Sequence, residues 1–400
     1  MTKATTSDPA ALSAEPYDAL LLVSFGGPEG PDDVLPFLEN VTRGRGIPRE
    51  RLVEVGAHYH RFGGRSPIND QCRALLAAVR ADLVAHDVDL PVYWGNRNWD
   101  PYLAEALTQM QRDGVRRAAC FVTSAYSSYS GCRQYRENLF DAVTDVQAAG
   151  AGAPRLDKLR HYYNHPGFVA PFVTATVDAL HRLAAQGHDG PDRVRLAFVT
   201  HSIPAAMSEG SGRSSAIDGD AYVRQHDEAA RLVSDGVAEV TGERFAHDVV
   251  FCSRSGPPQM RWLEPDINDH LVALTGAAGP DGVSGVVVVP IGFVSDHMEV
   301  VYDLDTEAAE TAASLGLGFV RVPTPGIAPR FVAMVRELLL ERAANETGAQ
   351  TPRAALGGLG PSWDVCPAEC CPNLRGARPA LCEVDSARPV SQPITQPVTS

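Results

Sequence analysis

Four hundred residues, 44% hydrophobic and 21% charged, are enough for two or three domains with a sizeable core. Thirty-five basic against forty-nine acidic residues give a net charge of −14, which argues against non-specific binding to nucleic acid or to an anionic membrane, so an anionic ligand needs a local basic cluster. The longest apolar runs are strand-length, short of the ~20 residues that span a bilayer, and Met1–Tyr17 lacks a basic-then-apolar signal pattern; the expectation is a cytoplasmic protein without an integral membrane segment.

After a loose arm over residues 1–17, Ala19–Phe25 reads as a buried strand running into Gly26, Gly27 and Pro28. Neither GxGxxG nor GxxxxGK[ST] spacing is present, so a phosphate loop is not supported. A helix over Asp32–Asn40 leads to the segment TRGRGIPRER with Arg43, Arg45, Arg49 and Arg51, which is either a solvated loop or a clamp for carboxylates, whose geometry guanidinium forks match. The next stretch, HYHRFGGRSPIND, sets Tyr59, Arg61 and Ser66 on a turn-rich loop. Strands follow at Pro91–Asn96, with Arg97, Trp99 and Tyr102 at its end, and at Arg117–Tyr126, which leads past Tyr129 to Tyr135 and a helix over Gln134–Gln147. Leu156–Tyr163 and a helix over Phe168–Ala185 complete a first half.

The second half opens with Val194–Thr200, ending in His201-Ser202-Ile203-Pro204. A Gly- and Ser-rich loop (Ser208–Gly219), a helix (Tyr222–Val240), strands at Val249–Ser253, Gly285–Pro290 and Gly318–Val322, and a closing helix near Pro329–Ala344 follow. Such alternation implies an α/β chain with two Rossmann-like doubly wound parallel-sheet domains, residues 18–190 and 191–345, and a ligand cleft between them. The remainder, 346–400, is a Cys-rich tail whose end is too poor in apolar residues to fold.

PIGFVSDHMEVVYDLD, residues 290–305, carries the strongest chemical signal. The strand breaks at Gly292 and restarts as a helix with Asp296 near its first turn, where a carboxylate suits the helix dipole. Glu299, Asp303 and Glu307 fall at i, i+4 and i+8 on one helical face. They form either a solvated face or a row of oxygen ligands, headed by His297 and Glu299, for a divalent cation at the C-terminal edge of a sheet. His201, leaving a buried strand into a proline-braked loop, is either a satisfied structural histidine or, with Glu299, a metal ligand and proton acceptor. No GxSxG elbow is present, and Ser202 beside His201 makes no triad, which leaves hydrolase chemistry weak. Eight cysteines, four of them between Cys366 and Cys382, are too unevenly spread for a secreted disulfide framework and suggest a metal or iron–sulfur site.

LLVSFGGPEG, ENVTRGRG, FGGRSPIN, GNRNW, THSIP, SRSGPP and PIGFVSDHMEVVYDLD, in that order over about residues 18–345, resemble the ferrochelatase family. The likeness is strongest to its actinobacterial branch, whose members are taken to insert Fe(II) into coproporphyrin III, making coproheme for a downstream decarboxylase. The resemblance implies that His201 and Glu299 lie on one side of the macrocycle and handle metal delivery and pyrrole deprotonation, with Asp303 and Glu307 as an acidic path for metal or protons. It places Ser66 and Tyr135 at propionate-binding positions, with Tyr59, Arg43 and Arg45 as neighbours. Phe25 stands where firmicute relatives carry a tyrosine able to ligate product iron; a phenyl ring cannot ligate, so Phe25 is expected to act as a wall. The chemistry needs a base beside the pyrrole nitrogens, and a histidine titrating near neutrality is expected to supply it. Alternatives are a protoporphyrin IX ferrochelatase, a cobalt chelatase, and a non-catalytic tetrapyrrole- or metal-binding protein of the same fold. The tail spacing Cys-x3-Cys-Cys-x10-Cys resembles the extension that binds a 2Fe-2S cluster in some relatives. Residues 133–200 contain no cysteine, so Cys366, Cys370, Cys371 and Cys382 are expected to be the four ligands, with zinc as the rival metal, and Cys72, Cys120, Cys132 and Cys252 to be apolar fillers.

Overall fold

Apolar runs such as ALLLVS and GVVVV become strands buried along their whole length, as parallel sheets covered on both faces require. In a computed structural model describing residues 13–150, 152–213, 219–256, 259–276, 282–349 and 351–384, they build two four-stranded sheets. The first arm residues to 12, residues 214–218 of the Gly- and Ser-rich loop and the end from 385 lie outside the described residues. The first sheet takes β1 (Ala19–Ser24), β2 (Val92–Asn96), β3 (Arg117–Val122) and β4 (Arg155–Lys158) in the order β2-β1-β3-β4. The second takes β5 (Val194–His201), β6 (Ala246–Cys252), β7 (Gly285–Val289) and β8 (Gly318–Arg321) in the order β6-β5-β7-β8. All pairings in both sheets are parallel.

This order reverses direction beside β1 and again beside β5, and in doubly wound sheets such switch points open a crevice beyond the strand C-termini. Phe25 follows β1 directly, His201 ends β5, and the 290–299 segment follows β7. Three of the stretches singled out in the sequence therefore meet at the two switch points for topological reasons alone. Gly292 sets their spacing: a Cβ there would lie 2.1 Å from Thr200 Oγ1, so only glycine lets the turn after β7 rest against the end of β5.

The inner faces of both sheets share one core, in which Leu20, Leu22 and Phe121 join Leu196, Phe198, Val287 and Val289. Burying each such side chain contributes about 1.5–3 kcal/mol. The helix Pro166–Ala185 lies on β7, β8 and the helix Ala221–Thr241. The helix Pro329–Glu346 packs on it and crosses to the helix Ile68–Ala85, where Arg336 Nε meets Asp82 Oδ2 at 2.8 Å. The halves are thus tied behind the cleft.

The acidic segment departs from the expected α-helix. Val300–Ala308 is a π-helix, continued as an α-helix over Ala309–Ser314. Its buried positions are Val300, Leu304 and Ala308, and the acidic row Glu299, Asp303, Glu307 runs one residue behind at the same spacing. A four-residue repeat overshoots an α-turn and falls short of the wider π-turn by a similar angle, so in either winding the buried and acidic rows run side by side with a slow drift. The tail is also ordered in part: β9 (Cys366–Pro367) pairs in parallel with β10 (Glu383–Val384).

Candidate active site

β5 delivers His201 onto a fixed base. Beneath it Tyr222 donates to the His201 carbonyl at 2.7 Å, while Thr200 Oγ1 meets both Tyr222 and His226 Nε2 at 2.9 and 2.8 Å. The imidazole Nδ1 donates to the Ser202 carbonyl at 2.5 Å, which fixes the tautomer and turns Nε2 outward. Nε2 faces Glu299 Oε1 at 3.5 Å. The other carboxylate oxygen, Oε2, lies 3.7 Å from Nε2 of His297, whose Nδ1 accepts the Val300 N–H and whose ring packs edge-on against Phe293. Glu299 is therefore held between two imidazoles. The His201 and Glu299 side chains are 33% and 45% exposed, so the pair opens onto solvent.

Burial alone would push the His201 pKa down; the charge and hydrogen bond of Glu299, with the Ser202 carbonyl and Asp303, outweigh it and lift His201 to about 9. Burial likewise favours the neutral form of Glu299, but His201 and then His297 hold it at about 2. The resting pair is imidazolium and carboxylate. The close carboxylate thus lifts this histidine above the near-neutral range expected of it. Asp303 takes that place instead: burial, Glu299 and Glu307 raise it to about 7, against a hydrogen bond from Ser253. Ser253, the first residue beyond β6, adopts φ +62° to reach it. Nothing in the sequence marks Ser253 beyond its place in SRSGPP.

Glu307, at the exposed end of the row, meets the other half of the molecule. Its neighbour Tyr302 is stacked on the His58 ring at 3.8 Å and lies under the Arg61 guanidinium at 5.6 Å. Tyr59, from the same helix as His58, faces the row: burial first, then Glu299 and Asp303, push its phenol pKa up. Tyr59 and Phe25 both pack on Phe37, at 6.1 and 6.3 Å between ring centroids. The structure thus brings His201, Glu299, Asp303, Glu307, Tyr59 and Phe25 to one cleft. Tyr135 is buried beneath Arg97, whose guanidinium lies 4.8 Å above its ring and 5.4 Å from that of Phe25. Ser66 is buried against Gly27, with its N–H on the Pro28 carbonyl at 2.9 Å, and is not brought to the open face. Arg43 and Arg45 are exposed. Arg43 lies near Tyr102, and Arg45 near Arg97 and Arg375.

The cysteines differ from expectation. Cys132, Cys366, Cys370 and Cys371 form one buried cluster with Trp363. Sγ–Sγ distances are 3.9 Å for Cys132–Cys366 and 3.7 Å for Cys370–Cys371. Cys382 stands apart, its Sγ on the Leu156 carbonyl at 3.2 Å and its side chain packed on the outer face of the first sheet. Cys132, expected as an isolated filler, thus lies with three of the tail thiols, and Cys382, expected beside them, lies away from them. The reason is topological. Cys132 sits on a π-turn, Tyr129–Arg133, and the tail folds back over that turn: Arg133 donates to the Ala368 and Arg378 carbonyls, and the fully buried Arg136 donates to the Cys370 carbonyl and to Glu383. Trp363 Nε1 donates to Cys366 Sγ and the Gly212 N–H to Cys371 Sγ, each at 3.3 Å. Hydrogen bonds from Cys132 and Cys370, with Arg136 and Lys158 nearby, hold the Cys366 thiol well below its ordinary range despite burial. Among the described residues, no group of three or more His, Cys, Asp or Glu side chains is placed as it stands to hold a metal ion.

A family model described as Ferrochelatase matches residues 17–343. A coproporphyrin III ferrochelatase of Streptomyces coelicolor is 58% identical over 379 residues, covering 94% of this chain and 99% of that protein. A coproporphyrin III ferrochelatase of Frankia alni is 54% identical over 92% of this chain and 88% of its own length. A ferrochelatase of Rhodopirellula baltica is 47% identical over 91% of this chain and 97% of its own length.

Proposed function

The chain belongs to the ferrochelatase family, and from that premise we propose that it inserts ferrous iron into coproporphyrin III, yielding Fe-coproporphyrin III and two protons in haem biosynthesis. The observation that carries this reading is the His201–Glu299 pair, 3.5 Å apart at the second switch point and open to the cleft across which Tyr59 and Phe25 stand. Imidazole nitrogen and carboxylate oxygen suit a first-row divalent ion, and two protein ligands leave positions open for transfer. The relatives named as coproporphyrin III enzymes support the tetracarboxylate substrate over protoporphyrin IX. No helix among the described residues is long and apolar enough to cross a membrane; we place the reaction in the cytoplasm, where the product, still carrying four carboxylates, passes to a decarboxylase.

The proton account follows from the electrostatics. At rest His201 holds the proton that balances Glu299. Ferrous iron arriving at Glu299 supplies that balance instead, and the displaced proton leaves by Asp303, whose affinity matches neutral pH, and then by Glu307. His201 Nε2 is then free to take a pyrrole proton as iron enters from the same side; the second leaves by the same route. Phe25 serves as an apolar wall. Puckering the macrocycle costs about 1–5 kcal/mol, drawn from contacts at its carboxylates and faces.

We also assign a 2Fe-2S cluster to Cys132, Cys366, Cys370 and Cys371. What supports this is the chemistry of the donors: four buried thiols, two N–H groups aimed at sulfur, and the buried Arg136 guanidinium to balance thiolate charge. Such a cluster supplies one-electron chemistry when bound. In this chain the four residues join the tail to the turn at Tyr129–Arg133.

Steady-state metallation with coproporphyrin III and protoporphyrin IX, alongside His201→Ala, tests the assignment. Removing the imidazole should lower turnover at least ~10²-fold while porphyrin still binds. Near-wild-type turnover would overturn the site, and a strong preference for protoporphyrin IX would overturn the substrate.

A further inference from the structure

Arg97 leans on the cleft wall through Phe25 and donates to the Ser130 carbonyl at 3.3 Å, leaving its buried Nε without a hydrogen-bond partner. Arg375, on the cysteine-rich tail, lies over the Tyr129 ring at 5.9 Å, and its neighbour Asn373 donates to the Tyr129 hydroxyl at 2.9 Å. Tyr129 and Ser130 are consecutive residues of one π-turn, and Ser130 Oγ reaches Met207 on the helix just beyond His201. The tail therefore arrives at the rim of the cleft. Arg45, exposed on its loop, joins the group, its charge repelled by those of Arg375 and Arg97.

None of these three arginines forms an ion pair with a carboxylate among the described residues. Their neighbours do: Arg133 and Arg136 meet Glu383, and Arg378 holds Asp141 through two contacts of 2.8 and 3.0 Å. The acid beside them, Glu137, is engaged by Arg133, Arg378 and the Tyr129 hydroxyl, so in a chain of net charge −14 three guanidiniums gathered without an ion pair of their own mark a place for an incoming anion. We propose that Arg375 completes, with Arg45 and Arg97, a binding site for a peripheral carboxylate of the tetrapyrrole, so that the tail is part of the substrate-binding surface. This rests on the tetracarboxylate substrate proposed above. The sequence gives no hint of it, since Arg375 lies far beyond the motifs that resemble the family.

The test is equilibrium binding of metal-free coproporphyrin III to the full chain by fluorescence quenching, for wild type, Arg375→Ala, Arg375→Lys and Arg378→Ala. Arg375→Ala should weaken binding about three- to tenfold at low salt and hardly at all near 1 M salt, where the screening length falls to about 3 Å. Lysine should restore part of the loss, and a porphyrin with two carboxylates should be affected less. Arg378→Ala, whose guanidinium is already paired, should bind as wild type. Equal binding by wild type and Arg375→Ala, or a loss that salt does not abolish, would overturn the proposal. Failure of the wild type itself to bind coproporphyrin III would instead overturn the substrate on which it rests.

Discussion

Replacing Glu299 by glutamine removes the charge that keeps His201 protonated while preserving shape and an acceptor oxygen. His201 starts at about 9, well above its ordinary 6.5. Burial opposes the rise, and Glu299 is the largest influence in its favour; what remains in Glu299→Gln is the Ser202 carbonyl and the more distant Asp303. The His201 pKa should therefore drop to its ordinary value or below, a fall of about two pH units or more. The sign in the wild type is the converse: a raised histidine stabilises the folded state below pH 6.5, and that contribution is lost as pH climbs through about 9. With the side chains a third and nearly half exposed, the pairing is screened by salt and its stability effect is modest. Histidine-selective labelling of the full chain and an NMR pH titration give the midpoint, the His201 signal being identified by its loss in His201→Ala. A His201 midpoint above 8 in Glu299→Gln would refute the account, because some other group would then be holding the proton. If the midpoint falls, the neutral imidazole of the variant can still accept a proton at pH 7.5, and any loss of metallation reports the missing metal ligand.

Two further outcomes follow from the same geometry. Metallation should rise with pH as Asp303 ionises near 7, and Ser253→Ala, which deletes the hydrogen bond that lowers Asp303, should move that limb upward by on the order of one pH unit; an unmoved limb in a pH–rate profile would assign it to another group. Anaerobically purified Cys132→Ser should lose visible absorption and about two irons per chain, while Cys382→Ser keeps both; the opposite pattern would return the ligand set to the tail alone.

The parallel sheets were readable in the sequence because buried strands of this kind are uninterrupted apolar runs, and Gly285–Val289 is among the plainest. That His201 and Glu299 would be neighbours was readable for a related reason. His201 and Glu299 each follow such a run within about ten positions, and the order of strands brings those two ends together. What periodicity could not supply was the winding of the acidic segment. Glu299, Asp303 and Glu307 satisfy a four-residue repeat in both α and π geometry, and the buried Val300, Leu304 and Ala308 that accompany them do the same. Nor could a resemblance in motif supply protonation states. It named a base, but the charge on that base is set by a 3.5 Å contact that only coordinates contain.

The tail failed to read for a different physical reason. Spacing arguments assume that ligands close in sequence are close in space, yet Cys132 and Cys366 are 234 positions apart and meet at 3.9 Å, while Cys382, eleven positions from Cys371, does not join them. What decides the outcome is where the tail is fastened. Buried arginines on the first half hold its backbone carbonyls: Arg160 takes Ala354 at 2.8 Å, Arg136 takes Cys370 at 3.3 Å, and Arg133 takes Arg378 at 2.9 Å. Each is a long side chain whose burial is tolerable only because a carbonyl and a carboxylate satisfy it. In a sequence, such arginines look like any others on a helix or strand end. Here they route the tail over the Tyr129–Arg133 turn, and that route places the thiols behind the turn and Arg375 in front of it.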